Sequence, residues 1–318
     1  MVIYTICKYL TFLTSKIYYD KIVVSGAENL PSDKPVLLLL NHPNSFLDAI
    51  LVAAYLKRST HFLARGDVFK NKLTLPILNS FNMLPLYRLS EGKENLYKNS
   101  ETFNSCQAIF NKSRMVIMFP EGLCENNYDL RALRKGPARI ASYAWNSNTP
   151  SKDLQILPVG LTYENFAGAG KNILINFGIP FGSGEISNQE NAALFVKEFN
   201  KKVYESLGKL IYLNKNLFPG TSEHESFRAQ FQKLVNDNKS ASQIIKGLHE
   251  PTSRVINPYN HHLIQQTLVF WPLYSFCVWL TRRLIRSSIF FDSISFGLFL
   301  FLWPIYLLLI ILTLYVCI

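Results

Sequence analysis

The stretch that most constrains this chain is residues 36–54, where a run of branched aliphatics passes through a polar turn into an apolar helix. Val36-Leu-Leu-Leu-Leu40 carries no polar residue on either face, the pattern of a strand covered on both sides. Asn41 and His42 fall where that strand ends, and Pro43 stops further pairing. Asn44 or Ser45 can cap the helix that opens near Phe46. In open α/β sheets, ligands bind beyond the carboxyl ends of the strands. His42 is therefore a candidate catalytic base, with Asp48 one or two turns into the helix and able to orient its ring. Ser45-x-x-Asp48 is equally the pattern of a capping box, with the acid in the first helical turn.

The rest of the chain repeats the strand-then-polar-break pattern. Lys21–Gly26, His61–Arg65, Met83–Arg88, Met115–Phe119, Leu154–Gly160 and Ile173–Pro180 read as further strands. Helices are expected at residues 1–18, around Pro76, over 89–112, over Leu130–Ala144 and over Asn188–Tyr212. In the first of these, Val2, Ile6, Tyr9, Leu10, Leu13 and Ile17 share one face, which either covers the sheet or lies in a lipid headgroup layer. No cationic segment precedes that helix and no small-residue cleavage site follows it, so a signal peptide is not expected. Leu130–Ala144 carries Arg131, Arg134, Lys135 and Arg139, a basic helix suited either to a phosphate-bearing cofactor or to a solvated face.

Four polar motifs close four of the strands: Asn41-His42, Arg88, Pro120-Glu121-Gly122 and Pro158-Val-Gly160. The expected fold class is α/β, a mostly parallel central sheet flanked by helices with a C-terminal membrane-associated helical hairpin. Parallel strands would bring all four motifs to one edge, and that convergence is the argument for an active site. A guanidinium at Arg88 can fork onto a phosphate or carboxylate. The five cysteines are odd in number and lack metal-ligand spacing, so neither a disulfide framework nor a metal site is expected. Cys124 alone invites a nucleophile reading, but no second base accompanies it. The net charge of +11 suits an anionic membrane surface or a polyanionic cofactor. The basic residues are dispersed and no reader motif is present, so no nucleic-acid partner is expected.

In this order the four motifs resemble those of the glycerolipid acyltransferase family, the glycerol-3-phosphate and lysophosphatidic acid acyltransferases, over roughly residues 20–185. The resemblance implies an O-acyltransferase of phospholipid biosynthesis that moves a fatty acyl group from an acyl thioester to a hydroxyl of glycerol-3-phosphate or lysophosphatidic acid. It implies His42 and Asp48 as the base and its orienter, and Arg88, Glu121 and Gly122 as acceptor-binding residues, with shaping of the loop as the other role open to Glu121. Asn41, Pro120, Pro158 and Gly160 would support them. No cofactor would be bound; acyl-CoA or acyl carrier protein would be the donor, and membrane lipids the partners. Two positions depart from the commonest pattern. Five residues separate His42 from Asp48 rather than four, which resembles the branch acting on glycerol-3-phosphate or dihydroxyacetone phosphate. Asn82 stands where a glycine is usual. A lyso-amino-acid lipid as acceptor and a non-catalytic lipid-binding protein are the alternative readings, and intact His42 and Asp48 argue against the second.

The expected organisation is an N-terminal amphipathic helix (1–20), a catalytic domain (21–212), a polar linker with one helix near Phe227–Val235 (213–262) and a C-terminal membrane hairpin (263–318). Phe296–Ile318 has no charge and about 20 residues suffice to span a bilayer. Leu263–Leu280 is interrupted by Gln265, Gln266 and Pro272. The catalytic domain is expected on the cytoplasmic face, where the donors are found. The positive-inside rule then keeps Arg282, Arg283 and Arg286 on that face and the first segment re-entrant.

Overall fold

The structure is a computed structural model that describes residues 2–87, 97–188, 191–250 and 262–317. Its centre is β2 (Val36–Leu40), every residue of which is buried. Val36, Leu38 and Leu40 enter one apolar cluster and Leu37 and Leu39 the other, so the strand separates two cores as its continuous apolar run requires. Around it lie β1 (Ile22–Ser25), β3 (Thr60–Arg65), β4 (Met83–Leu86), β5 (Met115–Met118), β6 (Gln155–Tyr163) and β7 (Ile173–Phe177). Among the described residues they form one sheet in the order β1-β7-β6-β2-β5-β3-β4. β2 to β6 all run parallel; β7 is antiparallel to β6, and β1 follows β7. The expected mostly parallel sheet is present, with two reversed strands confined to one edge.

The register does the positioning. Leu39 pairs with Met118 and Leu40 with Val159, so the segments after β2 and β5 leave the sheet side by side. Pro85 is tolerated because β4 is an edge strand. Asn82, just before β4, has φ 57°, a left-handed conformation in which Asn is the usual substitute for Gly.

Helices α1 (Val2–Tyr18), α2 (Phe46–Tyr55), α3 (Leu75–Ser80), α4 (Asn99–Phe110), α5 (Gly136–Trp145) and α6 (Ala192–Leu210) surround the sheet. α1 buries Tyr4, Thr11, Thr14, Ser15 and Tyr18, while Val2, Ile6, Tyr9 and Leu13 are exposed, so these four do not cover the sheet. Two expectations are corrected here. First, residues 130–135 are not helical; α5 starts at Gly136 with Pro137 in its first turn, where the missing N–H costs nothing. Second, the stretch expected as a linker with one helix near Phe227–Val235 contains that helix as α7 (Ser222–Asn236) and a further one, α8 (Ala241–Leu248). Their Phe227, Phe231, Val235, Ile244 and Leu248 belong to the main core. In α6, Phe199, Val203 and Leu207 point inward as expected, but Leu194 is exposed.

The C-terminal residues form α9 (His262–Leu284) and α10 (Ser288–Cys317). Ser295 Oγ donates to Thr281 Oγ1 and the Tyr306 hydroxyl to the Val269 carbonyl, so the two helices pack antiparallel as a hairpin. Among the described residues α10 is the one helix long and apolar enough to cross a membrane.

Pro158-Val-Gly160 does not end its strand, contrary to expectation: β6 runs on to Tyr163. Gly160 instead lets the end of α6 lie on the sheet, since a Cβ there would stand 2.5 Å from the Leu210 carbonyl oxygen. Gly160→Ala should therefore cost about 1–3 kcal/mol of stability by overpacking. Thermal unfolding of the detergent-solubilised protein measures this, and an unchanged midpoint would show that α6 yields at no cost.

Candidate active site

The site begins where β2 ends. Asn41 prolongs the β2–β6 pairing with its side chain: its amide donates to the Leu161 carbonyl at 2.9 Å and its carbonyl accepts the Leu161 N–H at 2.7 Å. His42 follows, partly open to solvent, with its ring stacked on Phe119 at 3.6 Å between centroids. Its Nδ1 lies 2.9 Å from Asp48 Oδ2. Asp48 sits in the first turn of α2, fully buried. The same carboxylate accepts the Asn44 backbone N–H at 2.8 Å and the Tyr163 hydroxyl at 2.8 Å. Burial pushes the Asp48 carboxyl above its usual range, against the pull of the His42 ring, the Asn44 N–H and Tyr163.

The capping-box reading does not hold. Ser45 occupies the N-cap position, yet its side chain makes no cap bond, and Asp48 reaches Asn44 and His42 instead. With Asp48 accepting from Nδ1–H, the imidazole presents Nε2 as an acceptor. Among the described residues nothing hydrogen-bonds that nitrogen. Such a ring can take a proton from a hydroxyl placed against it.

Glu121 lies beside the dyad, 4% exposed. Oε1 accepts the His42 backbone N–H at 2.9 Å; Oε2 accepts the Arg131 N–H and Nε–H, both at 3.1 Å. Of the two roles open to this acid, acceptor binding and shaping the loop, the geometry fits the second. Arg134 donates its backbone N–H to the Pro120 carbonyl at 2.8 Å and its Nε–H to the Glu121 carbonyl at 3.4 Å. Gly122 has φ 74°, which a side chain adopts only at a cost. The basic segment 131–135 thus fastens the Pro120-Glu121-Gly122 turn rather than forming a helix. Sequence reasoning missed this use of Arg131 and Arg134, and missed Tyr163 altogether. Pro158 and Gly160 lie inside β6, away from its carboxyl end. Arg88 lies outside the described residues.

The longer His-to-Asp spacer is splinted by the segment after Gly122. The Glu125 N–H donates to the His42 carbonyl at 3.3 Å, the Asn126 side chain to the Pro43 carbonyl at 2.7 Å, and the Ser45 N–H to Cys124 Sγ at 2.8 Å. These contacts hold Ser45 at φ 54°, a conformation that costs a residue other than glycine about 1–3 kcal/mol. Beside Arg131 an open groove of about 620 Å³ runs along α6. Neither His42 nor Asp48 lines it, and its Lys201 and Lys215 are paired with Glu205 and Asp129. Among the described residues no cluster of His, Cys, Asp and Glu is suited to a metal ion.

Burial, with the Asp48 charge nearby, pushes the Cys124 thiol up to about 12. At pH 8 only about one molecule in 10⁴ would carry a thiolate there. Cys124→Ser, which keeps an acceptor for the Ser45 N–H, should retain activity within about threefold. Iodoacetamide at pH 8 should leave turnover intact. Loss of turnover in parallel with alkylation of Cys124 would return the thiol to the mechanism.

Residues 21–162, which include β2 and the dyad, match the family model named Acyltransferase. A chloroplastic 1-acyl-sn-glycerol-3-phosphate acyltransferase of Arabidopsis thaliana is 26% identical over 179 residues. That match covers 56% of this chain and 43% of the relative, so the chain spans less than half of that protein's length. The crystal structure of the 1-acyl-sn-glycerophosphate acyltransferase of Thermotoga maritima aligns at a TM-score of 0.44 and 18% identity. This alignment covers 64% of this chain and 79% of that one. Residues 21–162, which carry His42, Asp48 and the Pro120-Glu121-Gly122 turn, are thus similar to the acyltransferase family.

Proposed function

We propose that the protein is an O-acyltransferase of phospholipid biosynthesis, moving a fatty acyl group from an acyl thioester to a hydroxyl of glycerol-3-phosphate or lysophosphatidic acid. The observation that carries this reading is His42, held at Nδ1 by Asp48 with Nε2 free, inside an acyltransferase-family domain. A hydroxyl is a poor nucleophile and must lose its proton as it attacks the thioester carbonyl. His42 Nε2 takes that proton, and a positioned general base is worth roughly 10²–10⁴-fold. Asp48 stabilises the resulting imidazolium and fixes the ring. As the tetrahedral intermediate collapses, the C–S bond breaks and His42 returns the proton to the departing thiolate. Ester and free thiol result, with no acyl-enzyme. The donor is acyl-CoA or acyl carrier protein, and Arg88 holds the acceptor's phosphate.

His42→Ala should abolish transfer, and Asp48→Asn should lower kcat by about 10²-fold or more. An Asp48→Asn enzyme that loses only thermal stability would reduce the acid to a structural role. Arg88→Ala should raise the acceptor KM more than it lowers kcat and leave the donor KM in place. A raised donor KM alone would move Arg88 to the donor.

The protein works at a membrane, its catalytic domain on the cytoplasmic side. Exposed Ile6, Tyr9 and Leu13 of α1, Trp271, Phe276 and Trp279 of α9, and Ile305, Leu308 and Leu312 of α10 support lipid contact. Leu248 before α9 lies in the main core and Tyr274 within α9 accepts the Ala169 N–H, and these contacts with one domain support a segment that does not cross. Single cysteines at positions 283 and 287, in a background lacking the native ones, should resist an impermeant thiol reagent in intact cells. Strong labelling from outside would show that α9 spans.

A further inference from the structure

The turn between His42 and Asp48 is also gripped from the far end of the chain. Asn44, fully buried, is one hydrogen bond from the dyad, because its backbone N–H donates to Asp48 Oδ2. Its side-chain amide donates to Asp292 Oδ2 at 2.8 Å and to the Phe166 carbonyl at 3.2 Å. Its carbonyl accepts the Ser293 hydroxyl at 2.9 Å. Asp292 and Ser293 are consecutive residues near the start of α10, both buried.

Asp292 is a hub. Oδ1 accepts the Tyr18 hydroxyl at 3.0 Å and the Gly168 N–H at 3.1 Å; Oδ2 accepts Asn44 and the buried Lys171 ammonium. A buried ion pair at the root of a helix this apolar is costly to desolvate, and apolar residues of like volume often serve stability as well or better. Docking does not depend on the pair. Phe296 and Phe299 already pack their rings against Tyr18 at 5.1 and 5.9 Å between centroids, and Trp303 donates to Thr14 at 2.9 Å. What apolar residues could not do is accept the Asn44 amide.

We infer that Asp292 is a positioning residue for acyl transfer: with Ser293 it fixes Asn44, and through Asn44 the carboxylate that orients His42. The C-terminal hairpin is then part of the catalytic apparatus as well as a lipid-facing element, and the dyad is complete only with α10 docked. The inference rests on His42 and Asp48 acting as the base.

The test uses the full chain in detergent micelles. Ser293→Ala removes one bond to Asn44. Asp292→Leu combined with Lys171→Met removes both buried charges together, so that neither is stranded, and leaves no side chain at 292 to accept the Asn44 amide. Unfolding midpoint, kcat and both KM values are measured in the native background and again with Asp48→Asn. Ser293→Ala should lower kcat about threefold to tenfold and the double variant about tenfold to a hundredfold, with KM values within about twofold. Both effects should shrink to within about twofold in the Asp48→Asn background, because residues acting through one another are non-additive. A lowered midpoint with unchanged kcat, or equal losses in both backgrounds, would overturn the positioning role. Should the double variant fail to fold, Ser293→Ala decides alone. His42→Ala separates the two readings: its full activity would remove the base, and the Asp292 role with it, whereas its inactivity beside an unaffected Ser293→Ala removes only the latter.

Discussion

The Asp48 carboxylate is the group whose needs the surrounding structure satisfies. It is fully buried, and withdrawing a carboxylate from water costs several kcal/mol even after relaxation. Three donors offset that cost: the His42 ring, the Asn44 N–H and the Tyr163 hydroxyl, each a charge-assisted bond of about 1.5–3 kcal/mol. The sum is of the same order as the penalty, so the arrangement persists only with all three in place. Each donor comes from a different decision of the fold: where β2 stops, how the turn winds, and how far β6 continues. A single acid therefore ties the end of one strand, the turn after it and the length of its neighbour into one geometry.

Glu121 performs the corresponding task one strand over. Its carboxylate joins the His42 backbone to Arg131, so the two segments leaving β2 and β5 are cross-linked just above the sheet. The Leu39–Met118 register brings them together, and the ion pair keeps them there. Because Asp48 holds the ring and Glu121 the backbone of the same residue, His42 has little freedom left except at Nε2. That is the pre-organisation the proposed general base needs, since a ring already oriented loses little entropy on binding.

The parts of this fold legible in the sequence are those fixed by local patterns that no distant contact overrides. β2 and β5 are unbroken apolar runs too short for helices, and the order of polar motifs after them carried the resemblance. His42 and Asp48 were found because a strand end and a first helical turn are predictable places. Pro137 marked the true start of α5, since proline belongs in a helix's first turn; a reading of 130–144 as one helix placed it in the middle. α8 was likewise marked, by Ser240 and Gln243 forming a capping box, and the start of α7 by Thr221 capping His224, but the polar stretch around them resembled a linker with one shorter helix. The course of 131–135 was not legible, because it is set by Glu121, ten residues or more away along the chain. Nor was the orientation of α1: periodicity reveals an apolar face without saying whether protein or lipid covers it.

The five residues between His42 and Asp48 form a turn in which Ser45 takes a positive-φ conformation, and a turn carrying that strain needs external supports. The segment 124–126 supplies them along one side and Asn44 faces α10 on the other. Spacing is therefore a property of the turn and its supports before it is a property of the acceptor. Glycerol-3-phosphate and lysophosphatidic acid differ by an acyl chain, and room for that chain is made by whatever surrounds the dyad rather than by the distance between its two residues. In this protein the surroundings include the C-terminal hairpin.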